Sequence, residues 1–190
     1  MWSNRPTSEV TALLIDGANC YESSKKLGFQ VDYAKILKYF RPQQAMYFTA
    51  LPESDPINNP NGLFKMIDYI VYNGYTLITK PTKTFVNDGV EVMKGNMDVE
   101  IAVHTIKAAR WANHIVLFTG DGDFRMAVED VQSQGVRVTV VSALKTNPPM
   151  VADELRRQAN TFIDMGNLEF RKQIEWDRDK AKRTFLDGTP

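Results

Sequence analysis

Four aspartates in three separate stretches could do chemistry together. "EVTALLID" (Glu9–Asp16) is a nearly continuous apolar run that stops at Asp16. "HIVLFTGDGDF" places Asp121 and Asp123 just past a second apolar run, and Asp98 opens a third stretch, "DVEIAVHTIKAARWAN". Asn19 follows one short turn after Asp16. A charge at the end of an apolar run is costly unless something satisfies it. Ionised carboxylates sharing one small cleft need cations between them. Hard divalent cations take oxygen ligands, and magnesium typically combines one or two carboxylates with waters and a substrate phosphate. Such a site suits hydrolysis of a phosphodiester, with the metal activating water and stabilising charge on the phosphoryl oxygens.

Other readings of the same residues compete with this one. Asp98 and Asp123 could each be no more than a helix N-cap, a role aspartate often fills. "DGD" is no calcium loop, because Gln132 stands at the twelfth position from Asp121, where a bidentate glutamate is needed. "DGAN" lacks the second acid that an aspartyl nucleophile wants two residues on; Ala18 is there. Gly17, Gly120 and Gly122 do not form the G-x-G-x-x-G pattern of a dinucleotide site. Cys20 has no histidine or second cysteine beside it, which argues against a thiol nucleophile.

The elements that must position these groups alternate. The first strand is followed by a helix at 32–40, a strand at 44–51, a Pro/Asn-rich loop at 52–62, a helix at 63–74 and a strand at 75–80. A hairpin about Asn87-Asp88-Gly89 comes next, then a helix at 98–113, a strand at 114–120 and a helix at 123–135. A strand at 136–143, a short helix at 152–158, an edge strand at "TFIDM" and a charged helix at 168–183 complete the chain. Alternation of this kind predicts an α/β fold with a largely parallel sheet and right-handed crossovers. In such folds ligands sit at the carboxyl ends of the strands, near the switch point. Both Asp16 and the Asp121/Asp123 pair fall at such ends.

Lys plus Arg and Asp plus Glu each number 23 among 190 residues, so no global basic field exists for tight, nonspecific duplex binding. A local basic groove stays open. The single cysteine excludes an intrachain disulfide and fits a reducing, cytoplasmic compartment. No apolar run nears the roughly 20 residues that span a bilayer, and the start lacks a signal core. No membrane partner is expected.

"LLIDGANCY" (Leu13–Tyr21), "KGNMDVEIAVH" (Lys94–His104) and "IVLFTGDGDF" (Ile115–Phe124), followed by "GVRVTVVS", resemble the NYN domain of the LabA-like group, relatives of the PIN-domain nucleases. The resemblance covers about residues 10–165. It implies a PIN-like three-layer α/β/α sandwich over 8–166; outside it, 167–190 reads from its own residues as a C-terminal helical extension that either packs on the domain or mediates self-association. It implies an acidic pocket binding Mg²⁺ or Mn²⁺ and an RNA substrate. Asp16, Asp98, Asp121 and Asp123 match the family's acids, Asn19 its polar residue after the first strand, and Thr119 its serine or threonine beside the metal.

The chain departs from the family pattern at two positions. His104 stands where the family helix usually has its last aspartate, and Asn160 where an aspartate is common. His104 reads as a cleft-wall residue contacting Glu100, or as a metal ligand or a neutral group behind one; the first is preferred, since histidine is not a hard-cation ligand of choice. Lys94, Arg125 and Lys80, with Lys83 and Lys145, are candidates for a rim that meets substrate phosphate. Tyr21, Phe85 and Trp111 could stack bases, though Trp111 reads as core. The expected function is a metal-dependent ribonuclease. The alternative is a regulatory module that binds RNA or a protein partner without meaningful turnover, and a small-molecule phosphohydrolase is a third, weaker reading.

Overall fold

The computed structural model describes residues 8–51, 63–87 and 90–177. The loop at 52–62, the hairpin turn at 88–89 and the end of the expected C-terminal helix, 178–183, lie outside the described residues.

Six strands form one parallel sheet: β1 (Thr11–Asp16), β2 (Gln44–Leu51), β3 (Thr76–Pro81), β6 (His114–Phe118), β7 (Arg137–Ser142) and β8 (Thr161–Asp164). Their order is β3-β2-β1-β6-β7-β8, and every neighbouring pair is parallel. Between β3 and β6, β4 (Lys83–Asn87) and β5 (Val90–Lys94) pair antiparallel as a separate hairpin, as expected. The order reverses at β1, which has β2 on one side and β6 on the other. That is the switch point at which an open α/β sheet leaves a crevice. In register, Ile15 pairs with Phe118, so Asp16 and the loop after β6 lie side by side.

Alternation along each strand divides the core in two. Leu13, Ile15, Tyr47, Val116 and Phe118 face one layer of helices: α1 (Gly17–Lys26), α2 (Tyr33–Phe40), α3 (Leu63–Tyr72) and α7 (Leu168–Ile174), which contribute Cys20, Ile36, Ile70 and Phe170. Leu14, Phe48, Ile115, Leu117 and Val140 face the other: α4 (Asp98–Ala108), α5 (Arg125–Ser133) and α6 (Asp153–Gln158), through Ile101, Val128 and Leu155. This is the expected three-layer α/β/α sandwich. Strands buried on both faces explain why β1 and β6 read as continuous apolar runs. Among the described residues no helix is long and apolar enough to cross a membrane.

Several boundaries differ from expectation. Helix α1 was not anticipated, because "GANCYESSKK" carries little apolar periodicity; the Asp16 cap makes it. Helix α4 ends at Ala108, not 113, and Trp111 sits on the turn beyond it. Trp111 is 38% exposed, so it is not a core residue. Helix α7 stops at Ile174, where Glu175 turns extended and bridges to Val31. The backbone N–H of Asp32 donates to the Ile174 carbonyl at 2.7 Å, so α7 packs antiparallel on α2.

Candidate metal centre

Asp16 ends β1 and caps α1. One carboxylate oxygen accepts from the Asn19 backbone N–H at 3.1 Å, and the other from the Thr119 hydroxyl at 3.2 Å. The Asn19 side-chain carbonyl accepts from the Gly120 N–H at 3.0 Å. Thr119 is fully buried, and its oxygen also accepts from the Asp121 N–H at 3.3 Å. The Thr119–Asp16 and Gly120–Asn19 bonds fasten the start of α1 to the loop after β6, and the other two brace each segment from within. Asn19 and Thr119 therefore join the two acid-bearing segments. Gly120 is required at this junction. A Cβ there would overlap the Met150 carbonyl oxygen and stand 2.6 Å from the Ser142 hydroxyl.

The remaining acids come from two elements. A 3-10 turn, Gly122–Phe124, precedes α5, and its cap is Asp121, whose carboxylate accepts from the Asp123 N–H at 3.0 Å. Asp123 is thus not the N-cap. Asp98 is the first residue of α4, after Met97, and its N–H donates to the Asn96 side chain at 2.8 Å. It too is not the cap. One carboxylate oxygen from each of Asp98, Asp121 and Asp123 lies within 4.8 Å of the other two. Asp16 stands outside that triplet but lines the same cleft, of about 390 Å³, with Asn19, Asn96, Asp98 and Asp121.

Charge is unbalanced here. Burial raises the Asp16 carboxyl above its usual range; its bonds to Asn19 and Thr119 oppose this, and the Asp98 charge adds to it. Burial also raises Asp98, against the pull of Asn96, and the negative charges of Asp121, Asp123 and Glu100 raise it further. Among the described residues no ion pair involves Asp98, Asp121 or Asp123. The donors are all hard oxygens, the set that suits Mg²⁺ or Mn²⁺ rather than a soft metal.

The other candidates fall as follows. Lys80 pairs with Glu100 at 3.1 Å and donates to the Asn96 carbonyl at 3.0 Å. Arg125 pairs with Glu129 at 2.8 Å along α5. The side chains of Lys83, Phe85 and Lys94 lie outside the described residues. His104 sits 2.8 Å from the Glu100 backbone carbonyl, so that nitrogen carries the proton, and its ring packs edge-on against Phe48. The expected contact with Glu100 is thus to its main chain and not to its carboxylate. Asn160 accepts from the Val138 N–H and the Gln132 side chain, both at 2.8 Å, and so ties α5 to the sheet. Tyr21 is exposed. Cys20 is buried, and burial with the Asp16 charge pushes its thiol up to about 12, so no thiolate is at hand. Asn96 and the Met150 carbonyl shape the site without having been anticipated. Asn96 carried only its closeness to Asp98 as a signal, and Met150 carried none.

The NYN domain family's model matches residues 10–169. The low amplitude and bright protein LabA of Synechococcus elongatus is 32% identical over 166 residues, covering 83% of this chain and 84% of that protein. A crystal structure of a protein of unknown function from Vibrio parahaemolyticus superposes with a TM-score of 0.72 at 21% identity, over 91% of this chain and 99% of that one. At that identity the likeness is one of fold. The matched span contains Asp16, Asp98, Asp121 and Asp123, the switch point beside them and all the helices but α7, and by it the chain belongs to the NYN domain family, in its LabA-like group.

Proposed function

We propose that this protein is a metal-dependent ribonuclease acting in the cytoplasm. The observation that carries the reading is the approach of three carboxylates to within 4.8 Å, none of them in an ion pair among the described residues. Carboxylates so placed repel one another, an arrangement that a ligand of opposite charge would reverse. An Mg²⁺ or Mn²⁺ ion held by Asp98, Asp121 and Asp123, with Asp16 at its flank, would supply a water of lowered pKa and charge for the phosphoryl oxygens. Asp16 keeps the Thr119 hydroxyl and the α1 N-terminus in place, and Asn19 keeps the Gly120 loop against them. Lys80 and Arg125 would meet substrate phosphates by leaving their glutamates. Such exposed pairs are worth under about 1 kcal/mol. Lys94, which closes β5 just before the Asp98 loop, would be a third phosphate contact.

Cleavage of labelled single-stranded RNA tests this. The expected result is cutting with Mn²⁺ or Mg²⁺ that disappears in EDTA and in an identically purified Asp121→Asn variant. No cutting, or cutting that survives the substitution, sinks the reading. The second reading, an RNA- or protein-binding regulatory module with little turnover, is favoured by one observation: His104 replaces a usual family acid and is bound to the Glu100 carbonyl.

A further inference from the structure

A second hollow, of about 580 Å³, lies between α2 and α7 and shares no lining residue with the acidic cleft. Lys35, Lys38, Tyr39, Arg41, Lys172 and Gln173 line it. Four of these six are cations and none is an acid, in a chain whose net charge is zero. The charge has therefore been concentrated locally. Basic side chains at the end of α2 would also suit its helix dipole. That does not account for Lys35 at the start of α2 or for Lys172 on α7.

The cations are only weakly neutralised. Lys35 is held by the backbone carbonyl of Glu175 at 2.6 Å, which positions its ammonium without cancelling it. The Glu175 carboxylate is already engaged by two guanidinium nitrogens of Arg171, at 2.9 and 3.0 Å. Lys172 lies 3.1 Å from Glu169, but both side chains are largely in water, where such a pair is screened. Lys38 and Arg41 are exposed. Tyr39, 46% exposed, stands among them, braced edge-on by Phe40 and Phe170 at 4.8 and 5.3 Å. Tyr39 and Gln173 also line a neighbouring hollow of about 460 Å³, whose charged residues are the acids Asp164 and Glu169, so the basic part of the surface is confined to the hollow between α2 and α7. A basic groove with an aromatic platform is what a single strand of nucleic acid recognises: cations follow the phosphates and the ring stacks a base.

We propose that the α2–α7 groove binds the phosphate backbone of single-stranded RNA at a place apart from the acidic cleft. This rests on the reading of RNA as the substrate. The groove shares no residue with the acidic cleft, so it sets affinity rather than chemistry.

The test is fluorescence anisotropy of a short labelled single-stranded RNA with the full chain in EDTA, across a salt series. The variant is Lys38→Gln with Arg41→Gln, neither of which touches the acidic cleft. Loss of two phosphate contacts should weaken binding about tenfold at low salt and lower the log–log salt slope by about 1.4. Lys172→Gln alone, in case the double variant unfolds, should lower the slope by about 0.7. Unchanged affinity and slope in both variants overturn the groove. So does binding of polyglutamate that the variants lose while RNA binding stays intact, which would make the surface a protein site. Cleavage by Asp121→Asn with Mn²⁺ is scored in parallel. Cleavage lost there with RNA binding unmoved by the groove variants leaves the nuclease standing and the groove fallen. RNA binding lost in the groove variants of a protein that never cuts leaves the reverse.

Discussion

The two ends of β1, β6 and β7 arrange their polar groups in opposite ways. At the amino end, His114 is buried with one ring nitrogen 3.0 Å from the Glu9 carboxylate and the other 2.8 Å from the Thr139 hydroxyl. Glu9 in turn pairs with Arg137, and the Asn113 side chain accepts from the Val10 N–H at 2.8 Å. The carboxylate can only accept, so its partner nitrogen on His114 carries the proton and the other nitrogen accepts from Thr139. Every group has a complement from the protein. At the carboxyl end, Asp98, Asp121 and Asp123 bring one carboxylate oxygen each to within 4.8 Å of the others, and none of them is in an ion pair among the described residues. At the amino end opposite charges and hydrogen-bonding groups answer one another, whereas at the carboxyl end the internal bonds of Asp16, Asn19 and Thr119 stand beside a cluster of like charges. Like charges gathered in this way mark the carboxyl end, under the function proposed above, as the place for chemistry.

The sharpest way to break the carboxyl end is Gly120→Ala. Its Cβ would overlap the Met150 carbonyl oxygen, a main-chain atom that cannot rotate away. Overpacking of this kind should cost about 3 kcal/mol and lower the unfolding midpoint by roughly 6–12 °C. A melting curve matching the wild type would show that the junction is looser than its geometry. At the amino end, Thr139→Val removes the hydroxyl that answers His114 and leaves a buried nitrogen unpaired. Denaturant unfolding should report a loss of about 1.5 kcal/mol.

Asp98→Asn should have the opposite sign. With no divalent ion present it removes one of three mutually repelling charges, so the variant should be as stable as the wild type or more stable, by under about 1 kcal/mol after solvent screening. Adding Mn²⁺ should raise the wild-type melting temperature more than the variant's. A variant destabilised in EDTA would mean that the cluster is satisfied as it stands. The smallest effect concerns pH. Burial lowers the His114 pKa, against its bond to Glu9, so the unfolded chain takes up this proton first. Stability should therefore fall as pH drops below about 6.5, the ordinary histidine value. His114→Gln should flatten that part of the profile by less than about 1 kcal/mol, measured as unfolding free energy between neutral and mildly acid pH.

Much of the fold was legible in the sequence. Continuous apolar runs marked β1 and β6 because both faces of the sheet are covered, and the alternation of strands with helices marked the layers. Local propensity was a poorer guide. It passed over α1, which exists because Asp16 caps it and the sheet supports it, and it placed Trp111 in the core when the turn after Ala108 carries that ring outward. Capping alone was an open alternative for Asp123 and Asp98, yet neither is a cap: Asp121 caps the 3-10 turn that leads into α5, because backbone geometry selects the residue just before the turn, and α4 starts after Met97.

The identities of the four acids, and their places at strand and helix ends, were written in the residues. Their meeting was not. Asp16 and Asp121 are far apart in the chain and become neighbours only because β6 pairs with β1 at the switch point. Tertiary structure also separated their roles, binding both oxygens of Asp16 to Asn19 and Thr119 while gathering Asp98, Asp121 and Asp123 around one point. Periodicity and capping are local properties that a linear sequence carries openly. Convergence depends on strand order and on long-range packing, which exist only once the chain has closed on itself.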